Sequence, residues 1–557
     1  MNEHDLDINC STLAIEPATL PTSGASARNE ARVLRYVKEP FEADRKDGIF
    51  ALFAFLLGFY FARWVLFSWE GWGVTAFTLV YCATVTLYLL KKRVHIPRAG
   101  WFWLTVVVLN GISYSFWANR GLEPWRSLLL LCSAIYWVIC ATGLPILGKT
   151  SNWIGLDGLN AMFVIPFSNF GTQHKSLAFL GRNKRTQASQ IFSIVLGLVL
   201  TLIVAAIVLP LLLKADSGGF AKLTSGFLAY LRGMRLGDSL VHWILAIPIA
   251  AYLFGLVAGC AHKRGCNSFK VESTRKAFSV IRILPQATVY TLLGLLCSLY
   301  VLFIGSQLPY FFSAFIGQRP DGWLVYSEYA RSGFFELCRI AAINLSVLLI
   351  ANFFSKSAGR VNDTDILPGA DCPKSESLSS SSTTKILKIL NSLLAILTLI
   401  LIATAMSKMV LYIGAYGLSM RRLLPCLFMV LLAVICGGVV ALQKWQFSIA
   451  RLAVGAGVAM LCALCLFDPD SFVARYNAER YLSGTLSNFD VAILYRSGPA
   501  GVDSALKVYA QTHDQVLHAE LDNYLYTQKQ EAWTFSGQHR DNLQKAHARQ
   551  KITEYFL

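Results

Sequence analysis

Four charged residues in the stretch Tyr326–Arg339 are the side chains of this sequence best placed to do chemistry. Glu328 and Arg331 are three residues apart, and so are Glu336 and Arg339. This spacing puts both members of a pair on one face of a helix, where opposite charges neutralise each other. Apolar residues follow them, and ionisable groups inside a membrane are candidates for binding ions or substrates. The alternative is structural: the first pair lies at the membrane interface and the second is an internal ion pair.

Two groups of cysteine residues could bind a metal or undergo redox chemistry, but neither pattern is specific. Cys462 and Cys465 form a CxxC, and Cys260, His262 and Cys266 lack a credible fourth ligand. Small thiols that pack between helices explain both groups better. Most of the thirteen cysteines lie within or beside apolar stretches, which does not indicate a disulfide framework. We therefore expect no metal site and no cofactor.

Other functional classes also lack support from the sequence. No motif for phosphoryl transfer or hydrolysis stands in a suitable context, so an enzymatic function has no positive evidence. The net charge is +17, but the basic residues fall mainly in loops between apolar stretches, as membrane orientation requires. Because no basic helix with interleaved aromatic residues is present, we do not expect nucleic-acid binding.

Long apolar stretches must position these side chains, and they indicate the class of protein. The chain is 55% hydrophobic and 15% charged, whereas soluble domains are roughly 25% charged. A helix needs about 20 residues to cross a bilayer. The sequence therefore predicts an all-α, multi-pass transmembrane helix bundle of about 11 spans, with the lipid bilayer as its first partner. The predicted spans are Gly48–Trp69, Gly73–Leu90, Ala99–Trp117, Ser127–Ile146, Ile191–Leu213, Val241–Cys260, Ala287–Ile304, Phe334–Phe353, Ile389–Ala405, Leu423–Leu442 and Ile449–Phe467.

Two further segments are apolar but do not fill a spanning length. Asn152–Phe170 is predicted to be an interfacial or re-entrant helix, and Phe220–Leu236 is a second candidate of the same kind. The loops that lie on the side of the N-terminus hold more lysine and arginine than the others, which predicts a cytoplasmic N-terminus. An odd number of spans then predicts an extracytoplasmic C-terminus.

Composition divides the chain into five regions. Pro368, Pro373 and the serines of Ser379–Ser382 cannot bury apolar surface, so this part is predicted to be a disordered linker. After the last span, Asp470 is predicted to cap a helix that Pro469 separates from the membrane. The regions are a polar cytoplasmic segment (1–47), a bundle of eight spans (48–356), a Ser-rich linker (357–388), three spans (389–467) and a soluble helical C-terminal module (468–557).

Three segments, in chain order, carry a family resemblance. They are Tyr326–Glu336, Met409–Leu418 with the arginines that follow it, and Asp468–Asn477, and the segment Trp533–Ala546 adds a looser match. Together they resemble an uncharacterised bacterial family of polytopic membrane proteins, known only as a domain of unknown function, over roughly Lys46 to Ala505. The candidate motif residues are Tyr412, Tyr416, Gly417, Arg421, Asp468, Arg475 and Asn477.

The resemblance implies a plasma (inner) membrane location and a shared membrane fold, with no assigned activity, so two functional hypotheses stay open. The first is a membrane-embedded signalling or assembly partner whose module, residues 468–557, meets another membrane or extracytoplasmic protein. The second is a transporter or channel-like protein for a solute, which the broken apolar segments favour. We prefer the first, because transporters usually carry more polar residues at the membrane midplane.

Overall fold

The computed structural model describes the chain between residues 41 and 556, with gaps. The described residues are 41–148, 150–180, 201, 208, 212, 237–264, 285–315, 326–354, 380–442, 444–445, 447–534 and 536–556. Almost all belong to one compact unit, Ala43–Leu557, because only two residues of the other unit, Met1–Glu42, are described. All regular secondary structure in these residues is helical, which confirms the predicted all-α fold class.

Ten helices in the described ranges are long and apolar enough to cross a membrane, which confirms the predicted membrane bundle. The predicted span Ile191–Leu213 lies outside these ranges apart from three single residues, and Phe220–Leu236 lies wholly outside them. The helices of the bundle are α1 (Arg45–Trp64), α2 (Trp72–Lys91), α3 (Arg98–Phe116), α4 (Glu123–Ala141), α5 (Ile154–Leu159), α6 (Ile165–Ser168), α7 (Thr172–Leu180), α8 (Gly237–Ala261), α9 (Gln286–Phe315), α10 (Tyr326–Phe354), α11 (Ser380–Tyr416), α12 (Met420–Ala441) and α13 (Ile449–Phe467).

The outer surface of the bundle is apolar, as contact with lipid requires. In α1, Ala51 and Ala54 are fully buried against other helices, whereas Leu52 and Phe53 point outward with about half of their surface exposed. A helix on the surface of a soluble protein shows the opposite arrangement, with polar residues outside. The small residues let helices approach closely: a Cβ atom added to Gly58 would overlap the backbone of α8.

Helix α11 begins at Ser380, inside the region 357–388 that the sequence predicts to be a disordered linker. Residues 380–388 are therefore helical, and 357–379 lie outside the described residues. The apolar stretch of α11 provides a stable helix, and each flanking residue that joins it forms another backbone hydrogen bond. The serine-rich composition that suggests disorder does not prevent this extension.

The C-terminal module is a group of short helices that share a compact core. Leu494, Leu521 and Tyr524 are fully buried at its centre. Its helices are α14 (Pro469–Leu482), α15 (Val491–Ser497), α16 (Val502–Tyr509), α17 (Gln515–Thr534) and α18 (Leu543–Phe556).

The start of the module differs from the prediction by two residues. Asp468, not Asp470, caps α14, and its carboxylate accepts a hydrogen bond from the Ser471 amide. Asp468 has a φ of 50°, so the chain turns sharply between α13 and α14. Pro469 then occupies the first helical position, where a missing amide hydrogen has no effect. Asp470 is left in the first turn, free to contact another part of the chain.

The module and the start of α1 lie at opposite ends of the bundle. The module contacts the end of the bundle at which α1 finishes, since the Trp72 amide donates to the Asp541 carbonyl at 2.9 Å. Helix α1 has 20 residues and is about 30 Å long, which separates its first residue from that end. The opposite end carries Lys92 and His262.

Cysteine labelling tests which end faces the cytoplasm. With a cytoplasmic N-terminus, Ser483→Cys in an exposed turn of the module should react with a membrane-impermeant maleimide on intact cells. His95→Cys, exposed at the opposite end, should react only after permeabilisation. The reverse pattern would invert the orientation, and equal labelling of both positions would contradict the opposite ends described above.

Candidate functional site

The first joint between the bundle and the module is a clasp on the turn between α11 and α12. The Asn477 side chain accepts a hydrogen bond from the Leu418 amide and donates one to the Leu418 carbonyl, both at 2.7 Å. Gly417 precedes this residue with a φ of 77°, and a Cβ atom there would overlap the Asn477 amide oxygen. The clasp therefore needs a glycine at 417 and a side-chain amide at 477.

Arginine side chains strengthen this clasp from both sides. Arg480 of α14 donates to the carbonyls of Ile413 and Gly414, at 3.1 and 2.9 Å. Arg422 donates to the Tyr416 carbonyl, and its guanidinium lies over the Tyr412 ring, 4.4 Å from the centroid. The bonds to Gly414 and Tyr416 satisfy carbonyl groups near the end of α11, where helical partners run out, and Ile413 accepts a second bond besides that from the Gly417 amide.

Two motif residues contribute little to this joint. Arg421 is exposed. Arg422, the next residue, is the arginine that contacts the end of α11. Arg475 is also exposed and lies 4.0 Å from Glu479, an ion pair that contributes little in solvent. Sequence spacing could not separate Arg421 from Arg422, because the rotation of α12 decides which of them faces α11.

The second joint is a buried polar cluster between the loop before α4 and the start of α14. The Gly121 amide donates to Asp470 at 2.9 Å, and the Asn119 side chain donates to the Cys465 carbonyl at 3.1 Å. Arg126 is only 2% exposed and donates to the carbonyls of residues 117 and 118. Burial raises the pKa of Asp470 to about 7.

Asp468 belongs to the same cluster. Its carboxylate accepts a hydrogen bond from Gln544 of α18, so the end of the module is tied back to its beginning. Burial raises its pKa, while the hydrogen bonds from Ser471 and Gln544 act in the opposite direction. The motif residue Asp468 thus joins α13, α14 and α18, which is a structural role.

The third joint uses the segment between α17 and α18. The Gly73 amide donates to the His539 carbonyl at 2.9 Å, and the Trp72 indole donates to the Gln538 carbonyl at 3.0 Å. Lys545 pairs with Glu70 at 2.8 Å. Together with the Arg120–Glu531 ion pair at 2.6 Å, these contacts hold the module on the connections that follow α1 and α3.

Of the two predicted intramembrane pairs, the structure describes the side chains of the second, Glu336 and Arg339. Glu336 and Arg339 are both exposed on α10, and no ion pair joins them in the described part of the chain. Lys408 of α11 packs against Gly333 and is the basic group that interacts with Glu336. Three-residue spacing permits a Glu336–Arg339 pair, but a neighbouring helix supplies Lys408 as another basic group, and the candidate site stays a prediction. Helix α10 includes Glu328 and Arg331, whose side chains lie outside the description.

Comparison with known proteins gives one match. A family model described as Domain of unknown function (DUF4153) covers residues 104–370 and 377–508, more than half of the chain. The chain belongs to the DUF4153 family. No curated protein and no solved structure matches it. The DUF4153 match includes the clasp and the polar cluster, and it stops at residue 508, before α17 and α18.

Sequence reasoning missed a buried ionic cluster at the opposite end of this DUF4153 protein. The Asp47 carboxylate is fully buried and accepts a hydrogen bond from the Tyr88 hydroxyl at 2.7 Å. Lys92 lies 2.8 Å from Asp47 and 3.0 Å from Asp44. His262 lies 3.1 Å from the Asp47 carboxylate and 3.2 Å from the Lys92 ammonium. The cluster joins α1, α2 and the end of α8 through charge-assisted contacts.

One signal in the sequence pointed to part of this cluster. Asp44 and Asp47 form a reciprocal capping box at the start of α1, a pattern that their three-residue spacing predicts. Lys92 is one of the basic loop residues that the charge count uses for orientation, and His262 stands in a weak metal-ligand pattern beside Cys260. Among the described residues, no group of three or more histidine, cysteine or acidic side chains is arranged to hold a metal ion.

Proposed function

We propose that this DUF4153 protein is a membrane-embedded assembly partner whose C-terminal module binds another protein. The observation that carries the proposal is an exposed apolar stripe on α17. Val516, Tyr526 and Trp533 are 70%, 63% and 57% exposed, and their spacing puts them on one side of the helix. The opposite side of α17 is buried in the core of the module. Exposed aromatic residues of this kind are typical anchors of protein interfaces.

The three joints support this proposal because they fix the module on the bundle. Backbone and side-chain bonds from Leu418, Gly121 and Gly73 hold it at three points. A partner bound to α17 would therefore be held in a defined position relative to the membrane. A module that served only as a flexible tether would not need such contacts.

The proposal includes a plasma (inner) membrane location with the N-terminus in the cytoplasm. The cytoplasmic N-terminus is supported by the greater number of lysine and arginine residues in the loops on the side of Lys92. The module would then meet an extracytoplasmic protein, or the extracytoplasmic part of another membrane protein.

Affinity purification from native membranes tests the partner role. The double variant Tyr526→Glu with Trp533→Glu should lose a stoichiometric partner that the wild-type protein retains, since charges in the centre of an apolar interface weaken binding strongly. Lys507→Glu, an exposed change on α16, is the matched control and should keep the partner. Partner retention in the double variant, with the protein folded, would overturn this interface.

A transporter is the second candidate, and one observation favours it. The segment Ile154–Ser168 is apolar but too short to span, and the π-helix Asn160–Val164 interrupts it. Interrupted helices that carry buried polar groups form the binding sites of many transporters. A small solute or a lipid that co-purifies with the protein in fixed ratio, in place of a partner protein, would favour this candidate.

A further inference from the structure

The interrupted segment between α4 and α7 contains a buried carboxylate that has no counter-charge among the described residues. Asp157 has no exposed surface. One carboxylate oxygen accepts a hydrogen bond from the Ile146 amide at 2.7 Å. The other oxygen is buried and has no hydrogen-bond partner among the described residues. An ionised carboxylate in this position is costly, because burial removes its water and one amide does not replace that water.

Asn160 places a second unpartnered oxygen on the same side of the segment. It is 1% exposed, and its amide oxygen is buried without a donor among the described residues. It lies three residues after Asp157, so the two side chains are neighbours on one helical face. Asn160 also begins the π-helix, a feature often found at functional sites. The Tyr252 hydroxyl of α8 holds this π-helix by donating to the Met162 carbonyl at 3.0 Å.

The groups around Asp157 do not supply a positive charge. Tyr136 and Cys140 of α4 are the ionisable side chains that face it, and both are neutral acids at neutral pH. The nearest arginine of α13, Arg451, donates to the backbone carbonyl of Thr150 at 3.0 Å instead. In the described part of the chain, no basic side chain forms an ion pair with Asp157.

Two buried oxygens, one of them from a carboxylate, thus have no donor and no cation among the described residues. A positive charge shared by the two side chains would satisfy both oxygens. A proton on the free Asp157 oxygen removes the charge and makes the carboxyl a donor to the Asn160 oxygen. A small hard cation such as Na⁺ does the same by binding both oxygens, the ligand type that such ions prefer.

We propose that Asp157 and Asn160 form a binding site for one monovalent cation, either a proton or an ion of the Na⁺ class. This site goes beyond the assembly role, and it does not depend on it. Burial raises the pKa of Asp157 from its usual value to about 6, in agreement with a carboxyl that binds a proton readily. Because this pKa lies above that of the unfolded chain, the contribution of Asp157 to stability falls as pH rises from about 4 to 6.

Thermal unfolding of the full-length protein in detergent tests the site, at pH 5 and pH 7.5, in NaCl or in choline chloride. If a proton occupies the site, the wild-type midpoint should fall by about 2–4 °C more than that of Asp157→Asn over this pH range, in either salt. If Na⁺ occupies it, NaCl should prevent this loss at pH 7.5 in the wild type and have no effect on Asp157→Asn. Glu520→Gln, an exposed carboxylate change, should behave as the wild type.

Equal responses of the wild type and Asp157→Asn to pH and to salt would overturn the proposal. Infrared difference spectra provide a second measurement that does not need the Asp157 variant to fold. In choline chloride at pH 5, a protein that carries Asp470→Asn, which removes the other buried carboxyl with a pKa raised to about 7, should still show the carbonyl band of a buried protonated carboxyl. Asn160→Leu should shift the frequency of this band, because the carboxyl loses its hydrogen-bond acceptor. An unchanged band would remove Asn160 from the site and overturn the proposed pair.

Discussion

Replacing Asp47 with alanine is expected to lower the free energy of unfolding by about 3–5 kcal/mol, the usual effect of removing one member of a buried ion pair. Asp47 is fully buried, and its carboxylate contacts Lys92, His262 and the Tyr88 hydroxyl. Without the Asp47 carboxylate, the mostly buried ammonium group of Lys92 has no adjacent carboxylate except that of the half-exposed Asp44. Thermal unfolding in detergent, calibrated against denaturant, measures the loss.

Two further variants separate charge from packing at this cluster. Asp44→Ala removes a carboxylate that is 49% exposed, so its effect should be much smaller. The double change of Asp47→Ala with Lys92→Met removes both charges and should be milder than the sum of the single changes. Strict additivity of the two changes would contradict an ion pair that stabilises the junction of α1, α2 and α8.

The clasp between Asn477 and Leu418 should be the second most sensitive point of the structure to substitution. Asn477→Leu leaves the buried amide and carbonyl of Leu418 without partners, at a cost of about 1–3 kcal/mol for each group. The module should loosen from the bundle, and limited proteolysis of the purified protein should cut the turn between α11 and α12 sooner than in the wild type. Gly417→Ala should act in the same direction, because a side chain at a φ of 77° is strained and overlaps Asn477.

Arg475→Ala is the matched control for this experiment. Arg475 belongs to the same motif and the same helix as Asn477, but it is exposed and makes one weak ion pair. Its removal should leave both the unfolding midpoint and the proteolysis rate near those of the wild type. Similar sensitivity of Arg475→Ala and Asn477→Leu would mean that the motif acts through something other than the clasp.

Two segments of the family resemblance meet at this joint. The resemblance includes both Met409–Leu418 and Asp468–Asn477, and the structure brings them into contact through Gly417 and Asn477. Their roles were not predictable, because they depend on the meeting of a turn and a helix 59 residues apart. The same limit applies at α10, where the interaction of Glu336 with Lys408 on another helix does not follow from the spacing of Glu336 and Arg339.

The sequence by itself determined the all-helical class and the membrane bundle of apolar spans. These properties depend on the average composition of short stretches of chain. About 20 apolar residues can cross a bilayer as a helix whatever helices pack beside them. Only the tertiary structure decided which polar groups meet. Asp47 and His262 are 215 residues apart, and Trp72 and Gln538 are 466 apart, so no local pattern relates them. In a low-dielectric bundle such contacts depend on the rotation and register of each helix, which packing sets after the spans have formed.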